Sequence, residues 1–209
     1  MKLPKIYYIS QGNTPTDHLN HIKKMVDAGV DWVQLRIKEG NEKDILEVAL
    51  KAQKYCKEKG VTFIVNDNSK IAQITDADGV HLGKENESPK VAKELLGEDK
   101  IVGGTANTWE DCQKLIEQKV DYIGLGPFRF TTTKKKLSPI LGLEGYRSII
   151  EKMQEHKINI PLVAIGGIRL EDIQALRNIG LKGVALSEFL HQAEDTKSAV
   201  YQIQSLLKK

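Results

Sequence analysis

Short runs rich in β-branched and aromatic residues recur along the chain, with room for a helix between each pair. They fall at Ile6–Ile9, Trp32–Leu35, Thr62–Val65, Gly79–Leu82, Ile101–Gly103, Tyr122–Leu125, Leu162–Ile165 and Gly183–Leu186. Short, nearly continuous apolar runs suit strands buried on both faces. Between them the period changes. Ile45, Val48, Ala49, Ala52, Tyr55 and Cys56 recur at helical spacing, with charges on the opposite face. Leu19, Ile22 and Val26 do the same earlier, and Ile173, Leu176 and Ile179 later. Thr108-Trp-Glu-Asp111 has the form of a helix start, an N-cap hydroxyl with an acid three residues on. Gly29, Gly60 and Gly180 each follow a helical stretch and precede a strand, as C-terminal caps do. The connections Ala28-Gly-Val-Asp31, Ala77-Asp-Gly-Val80 and Lys119-Val-Asp121 resemble one another.

Eight strands alternating with helices predict an α/β fold of the parallel (β/α)8 barrel type. An open doubly wound sheet is the alternative, but its first strand–helix turn should be a glycine-rich phosphate loop. Ser10-Gln-Gly-Asn-Thr-Pro15 lacks that pattern. No linker, low-complexity segment or composition break divides the 209 residues, so one barrel domain over 1–209 is expected. The net charge of +3, from 31 basic and 28 acidic residues, argues against a dedicated nucleic-acid binder. Met1-Lys-Leu-Pro-Lys5 is too short and polar for a signal peptide, and no apolar run is long enough to cross a membrane. Cys56 and Cys112 lack a CxxC spacing and read as buried thiols of a reducing cytoplasm. Nothing in the sequence specifies an oligomeric state.

In such a barrel, chemistry sits at the carboxyl ends of the strands. Strand 2 ends in Gln34-Leu-Arg-Ile-Lys38, which puts Gln34, Arg36 and Lys38 on one face. Strand 3 ends in Asn66-Asp67, suited either to Mg2+ or to capping the helix that starts near Ser69. Strand 4 runs into His81-Leu-Gly-Lys-Glu-Asn86, and strand 5 into Gly103-Gly-Thr-Ala-Asn107, whose glycines would let backbone approach a ligand. After strand 6, Gly124-Leu-Gly-Pro-Phe-Arg-Phe-Thr-Thr-Thr-Lys-Lys-Lys136 offers three hydroxyls followed at once by three ammonium groups. Such donors suit phosphate oxygens, although a lone run of this kind also fits a solvated basic loop. Gly166-Gly-Ile168 and Ala185-Leu-Ser-Glu188 follow strands 7 and 8, where barrels often bind phosphate through backbone N–H groups. His18, His21, His156 and His191 read as surface residues, and His81 as a packed structural histidine. No pair reads as a nucleophile with its base. The inventory suits a diphosphate and a second phosphorylated molecule.

The order QLRxK, ND, ADGVHLG, GPxxxTxTK and AIGGI, from Tyr8 to about Phe189, resembles the thiamine phosphate synthase family. The resemblance implies a Mg2+-dependent transferase acting on two small molecules. It would join 4-amino-2-methyl-5-hydroxymethylpyrimidine diphosphate to 4-methyl-5-(2-hydroxyethyl)thiazole phosphate, or its carboxylated form. Diphosphate would leave first to give a pyrimidine-stabilised carbocation, which the thiazole nitrogen attacks. By position, Gln34, Arg36, Lys38 and Asn66 would hold the pyrimidine diphosphate, Lys134 would grip its diphosphate, and Asp67 would bind Mg2+. Arg36, Lys38 and Lys134 would be the catalytic cations. Thr131 and Thr133 would lie over the thiazole, with Gly167 and the backbone of Ser187 and Glu188 on its phosphate. Thr105 stands where the family usually has serine, and the 128–141 loop would act as a lid.

Three departures stand out. Asn86 occupies the usual second aspartate position for Mg2+, while Asn68 and Lys84 replace a usual arginine and glutamine. Glu188 also brings a carboxylate near a phosphate site. Two rival expectations remain: a thiazole tautomerase, whose histidine is replaced by Asn107 here, and a non-catalytic phosphate-binding barrel.

Overall fold

The computed structural model describes residues 4–130, 139–181 and 183–208. The strands are β1 (Ile6–Ile9), β2 (Trp32–Leu35), β3 (Thr62–Asn66), β4 (Gly79–Leu82), β5 (Ile101–Ala106), β6 (Tyr122–Leu125), β7 (Leu162–Ile165) and β8 (Gly183–Leu186). Each pairs in parallel with its sequence neighbour, and β8 returns to β1, so the sheet closes into the expected barrel. Between and after the strands lie α1 (Pro15–Ala28), α2 (Glu42–Lys59), α3 (Ser69–Ile74), α4 (Pro89–Leu96), α5 (Trp109–Glu117), α6 (Gly142–Glu155), α7 (Ile173–Asn178), α8 (Glu188–Gln192) and α9 (Thr196–Lys208). Thr108 and Asp111 form the expected capping box on α5. Gly29 and Gly60 adopt the left-handed conformation that ends α1 and α2. None of the described helices is long and apolar enough to cross a membrane.

Two strands run further than their apolar pattern. β3 reaches Asn66 because Asn66 pairs with His81, and β5 reaches Ala106 through partners Gly124 and Leu125. Closure of the barrel, rather than hydrophobicity, carries these ends to the rim.

Alternation splits the apolar residues into two layers. Tyr8, Val33, Phe63, Val80 and Ile123 face outward into the layer shared with the helices. Tyr7, Trp32, Ile64, Tyr122 and Val163 fill the barrel interior. The Gly103-Gly104 pair serves this packing and not a ligand. A Cβ on Gly103 would sit 2.1 Å from the Tyr122 ring, and one on Gly104 would sit 2.5 Å from Leu115 of α5. The two cysteines are buried, which pushes each thiol pKa up to about 12.

The three similar connections share one job at the amino-terminal end of the barrel. Asp31 accepts from the Ile6 N–H at 3.1 Å, Asp78 from Phe63 at 2.8 Å and Asp121 from Val102 at 2.7 Å. Each aspartate opens an even-numbered strand and caps the start of the strand before it. In return its own N–H donates to the carbonyl of that same residue.

Candidate active site

At the opposite end, a cavity of about 360 Å³ opens between the carboxyl ends of the strands. Its lining includes Gln34, Arg36, Lys38, Asn66, Asp67, Thr105, Gly167, Ser187 and Glu188, gathered from five strand ends and the turns after them. Gln34 comes from β2 itself and Arg36 and Lys38 from the segment just beyond its end, and all three line the cavity. Arg36 is fixed by its backbone, whose N–H donates to Ser10 Oγ at 3.0 Å. Burial lowers its pKa below the ordinary guanidinium value and Asp67 opposes that shift. A guanidinium remains charged under such a perturbation. Lys38 Nζ lies 3.9 Å from Asp67 Oδ2.

Asp67 is not a helix cap. Asn68 caps α3 by accepting from the Ile71 N–H at 2.9 Å, which leaves the Asp67 carboxylate for the cavity. Asp67 itself adopts a left-handed backbone with φ of 64°, costly for a non-glycine residue and often tolerated at functional sites. The departure at Asn68 from the family's usual arginine thus has a local use.

Asn86 folds back onto the same corner. Its Oδ1 accepts from the Gly83 N–H at 2.6 Å. A Cβ at Gly83 would lie 3.0 Å from Asn86 Oδ1 and 3.5 Å from Asp67 Oδ1, so glycine keeps both oxygens on one small space. Lys84 turns away and pairs with Asp111 at 2.5 Å. No cluster of three or more His, Cys, Asp or Glu fit to hold a metal occurs among the described residues.

The far wall is the Gly166-Gly167 turn after β7, with φ of 94° and 68°. A Cβ on Gly167 would sit 2.5 Å from Arg129 Cγ, so this position requires glycine on both counts. Arg129, in the strand-6 loop, has no role that the sequence pattern assigns. It makes a bidentate pair with the buried Asp172, at 2.9 and 2.8 Å, and lashes the loop stem across that turn. Phe128 and Arg129 also donate to the carbonyls of Ile165 and Gly166. Arg169, likewise unassigned from sequence, lines the cavity with a largely exposed guanidinium.

Ser187 spends its hydroxyl on the Ile9 carbonyl and on the Gln11 amide, so its backbone is what it offers a ligand. Glu188 accepts from Gln192 at 3.1 Å along α8, which turns its carboxylate along the helix. Thr131, Thr133 and Lys134 lie outside the described residues, as does most of the expected lid; the stems of that loop meet where Leu141 and Gly142 donate to Pro127 and Phe128. Asn107 does not line the cavity, and its amide donates to the Gly126 carbonyl.

Of the histidines, His18 departs from the surface expectation, while His81 is packed as expected. His18 is buried against Ser10, with Nδ1 2.7 Å from the hydroxyl, because α1 turns that face onto the first strand end. His81 faces the barrel interior and lines the floor of the cavity, 2.9 Å from Thr105 Oγ1.

The model of thiamine monophosphate synthases matches residues 6–190. The chain belongs to the thiamine monophosphate synthase family. A thiamine-phosphate synthase of Flavobacterium johnsoniae is 46% identical over 203 residues, covering 97% of this chain and 96% of that one. One from Phocaeicola vulgatus is 42% identical over 205 residues, 98% of this chain and 99% of its own length. Among solved structures, the thiamine phosphate pyrophosphorylase of Pyrococcus furiosus superposes with a TM-score of 0.84 at 27% identity, over 98% of this chain and 95% of that chain. The likeness to the pyrophosphorylase agrees with the closed parallel barrel.

Proposed function

We propose that the chain condenses the pyrimidine diphosphate with the thiazole phosphate, releasing diphosphate and forming thiamine phosphate for thiamine biosynthesis. The observation that carries this reading is the convergence of Arg36, Lys38, Asn66, Asp67 and Thr105 on one cavity, opposite the Gly166-Gly167 turn. Cations and amides line one wall and a backbone cradle the other, so two phosphorylated molecules can face each other. The C–O bond to diphosphate breaks with its electron pair going to the leaving group. The thiazole nitrogen lone pair then forms the new C–N bond to the exposed methylene carbon. No proton transfer is required, which agrees with a site lacking a nucleophile–base pair. Arg36 and Lys38 would stabilise charge gathering on the departing diphosphate, and Gln34 and Asn66 would orient the pyrimidine.

The residues present fit a Mg2+ ion. Asp67 and Asn86 supply hard oxygens to the small space that Gly83 leaves open, and an ion of this kind takes its remaining ligands from water and phosphate. When bound, Mg2+ would add positive charge against the diphosphate. Asn86→Asp should keep the bond to the Gly83 N–H and add a negative charge. The Mg2+ concentration for half-maximal rate is then expected to fall several-fold, and an unchanged value would remove position 86 from the ligand set.

The amide of Asn107, turned onto the Gly126 carbonyl, supports condensation over isomerisation, since it sits where a tautomerase keeps its histidine. The deciding experiment incubates purified protein with both substrates and Mg2+ and follows thiamine phosphate and diphosphate by chromatography. Product that needs both substrates supports the proposal. Isomerisation of the thiazole carboxylate phosphate without coupling would replace it with the tautomerase reading.

A further inference from the structure

Beneath the cavity, five side chains from five different strands form one hydrogen-bonded chain through the barrel core. Gln34 Nε2 donates to Tyr7 OH at 2.7 Å, and Tyr7 OH lies 3.1 Å from Tyr122 OH. Tyr122 OH lies 2.9 Å from His81 Nδ1, and His81 Nε2 lies 2.9 Å from Thr105 Oγ1. Gln34, Tyr7, Tyr122 and His81 are all buried, so water cannot readily interrupt the sequence. The ring of His81 is also held in place. It stacks on Tyr122 at 5.5 Å and 28°, and a Cβ at Gly124 would come within 2.9 Å of its Cε1.

Each phenol has a single proton, so the direction of one bond sets the next. The amide N–H of Gln34 takes one lone pair of Tyr7 OH, and the buried Tyr7 proton has no hydrogen-bond acceptor among the described residues other than Tyr122, so Tyr7 donates there. Tyr122 then donates to His81 Nδ1, which places the ring proton on Nε2. His81 donates to Thr105, and the Thr105 proton is left to point into the cavity. We propose that Gln34 sets, through Tyr7, Tyr122 and His81, the direction of the Thr105 hydroxyl and makes it a hydrogen-bond donor to the bound substrate. Tyr7, Tyr122 and His81 are then positioning residues, and the buried line transmits orientation rather than protons. That the donor meets substrate rests on the proposed synthase activity; the ring tautomer does not, and it is read on the ligand-free protein.

Imidazole 15N–1H correlation spectra of the full-length protein test this, with the His81 signals assigned by their loss in His81→Asn. Wild-type protein should show the Nε2–H tautomer. In Gln34→Glu the introduced carboxylate can only accept, so every bond reverses and His81 should switch to Nδ1–H. A wild-type ring protonated at Nδ1, or the same tautomer in both proteins, overturns the proposal. Tyr7 does not line the cavity, so Tyr7→Phe separates positioning from contact. It should give a mixed His81 tautomer and a kcat lower by about tenfold, with little change in KM. An unchanged kcat with a mixed tautomer would overturn the catalytic part and leave the tautomer assignment standing. If Tyr7→Phe does not fold, the comparison of wild type with Gln34→Glu still decides the direction of the chain.

Discussion

His18 shows how burial, more than any neighbouring charge, makes a surface-looking residue pH-sensitive. It sits on a helix whose apolar residues are Leu19, Ile22 and Val26, and neighbours of that stripe read as solvent-facing. Only closure of α1 over Ser10 buries it, and that contact joins positions the sequence pattern does not relate. Burial pulls its pKa from 6.5 down to about 4. Between those values the unfolded chain takes up a proton that the folded chain refuses, so stability falls as pH falls through this window. The loss attributable to this one group by pH 4.5 is on the order of 2 kcal/mol. His18→Gln should therefore lose less stability than wild type between pH 7 and pH 4.5 in urea unfolding. Equal slopes in the two proteins would mean that His18 is solvated. The glycines of β5 differ from expectation for a related reason. Sequence shows that a Cβ is absent but not which neighbour needs the room, and here it is Tyr122 for Gly103 and Leu115 for Gly104.

At the scale of elements, strand cores were legible because burial on both faces demands continuous apolar runs. Strand ends at the rim were not, since Asn66 and Thr105 are polar and owe their place to the ladder. The same limit hid Arg129. A lone arginine before a Thr/Lys run reads as one more surface cation, and Asp172 lies forty-three residues on. Together they fasten the β6 loop stem to the turn after β7. Asp172 also accepts from the Arg169 N–H at 2.7 Å, so it holds both sides of the Gly166-Gly167 cradle. Asp172→Ala leaves the half-buried Arg129 guanidinium only the more distant, exposed Glu171 at 3.9 Å among the described residues, and should cost about 2 kcal/mol in urea unfolding. KM for the thiazole phosphate should rise with it as the cradle loosens. Arg129→Lys should raise the same KM, because an ammonium cannot reproduce the two-pronged geometry. An unchanged KM in that variant would show that charge alone is enough.

Across the whole molecule, the barrel separates holding itself together from acting on a ligand. Acids at the amino-terminal end, Asp31, Asp78 and Asp121, close the strand starts, while Arg36 and Lys38 stand at the carboxyl-terminal end. That polarity was readable, because eight alternations imply a barrel and a barrel places each strand's last residues at one mouth. Convergence at that mouth was therefore readable in outline, whereas the buried line from Gln34 to Thr105 was not, since it depends on side-chain contacts between strands far apart in sequence. The separation can be tested with one substitution at each end. Asp121→Ala removes the acceptor of the Val102 N–H and the partner of Lys93 at 2.7 Å, and should cost roughly 1–2 kcal/mol of stability. Its kcat at a temperature where it remains folded should match wild type. Arg36→Ala removes a partly desolvated cation that Asp67 only partly compensates, so its stability should stay within about 1 kcal/mol of wild type. Its kcat should fall at least about 100-fold, as expected when a charge stabilising the leaving group is lost. If Asp121→Ala slowed turnover as much as Arg36→Ala while still folded, the two ends would be coupled through the strands. Function would then be spread along the barrel rather than concentrated at its mouth.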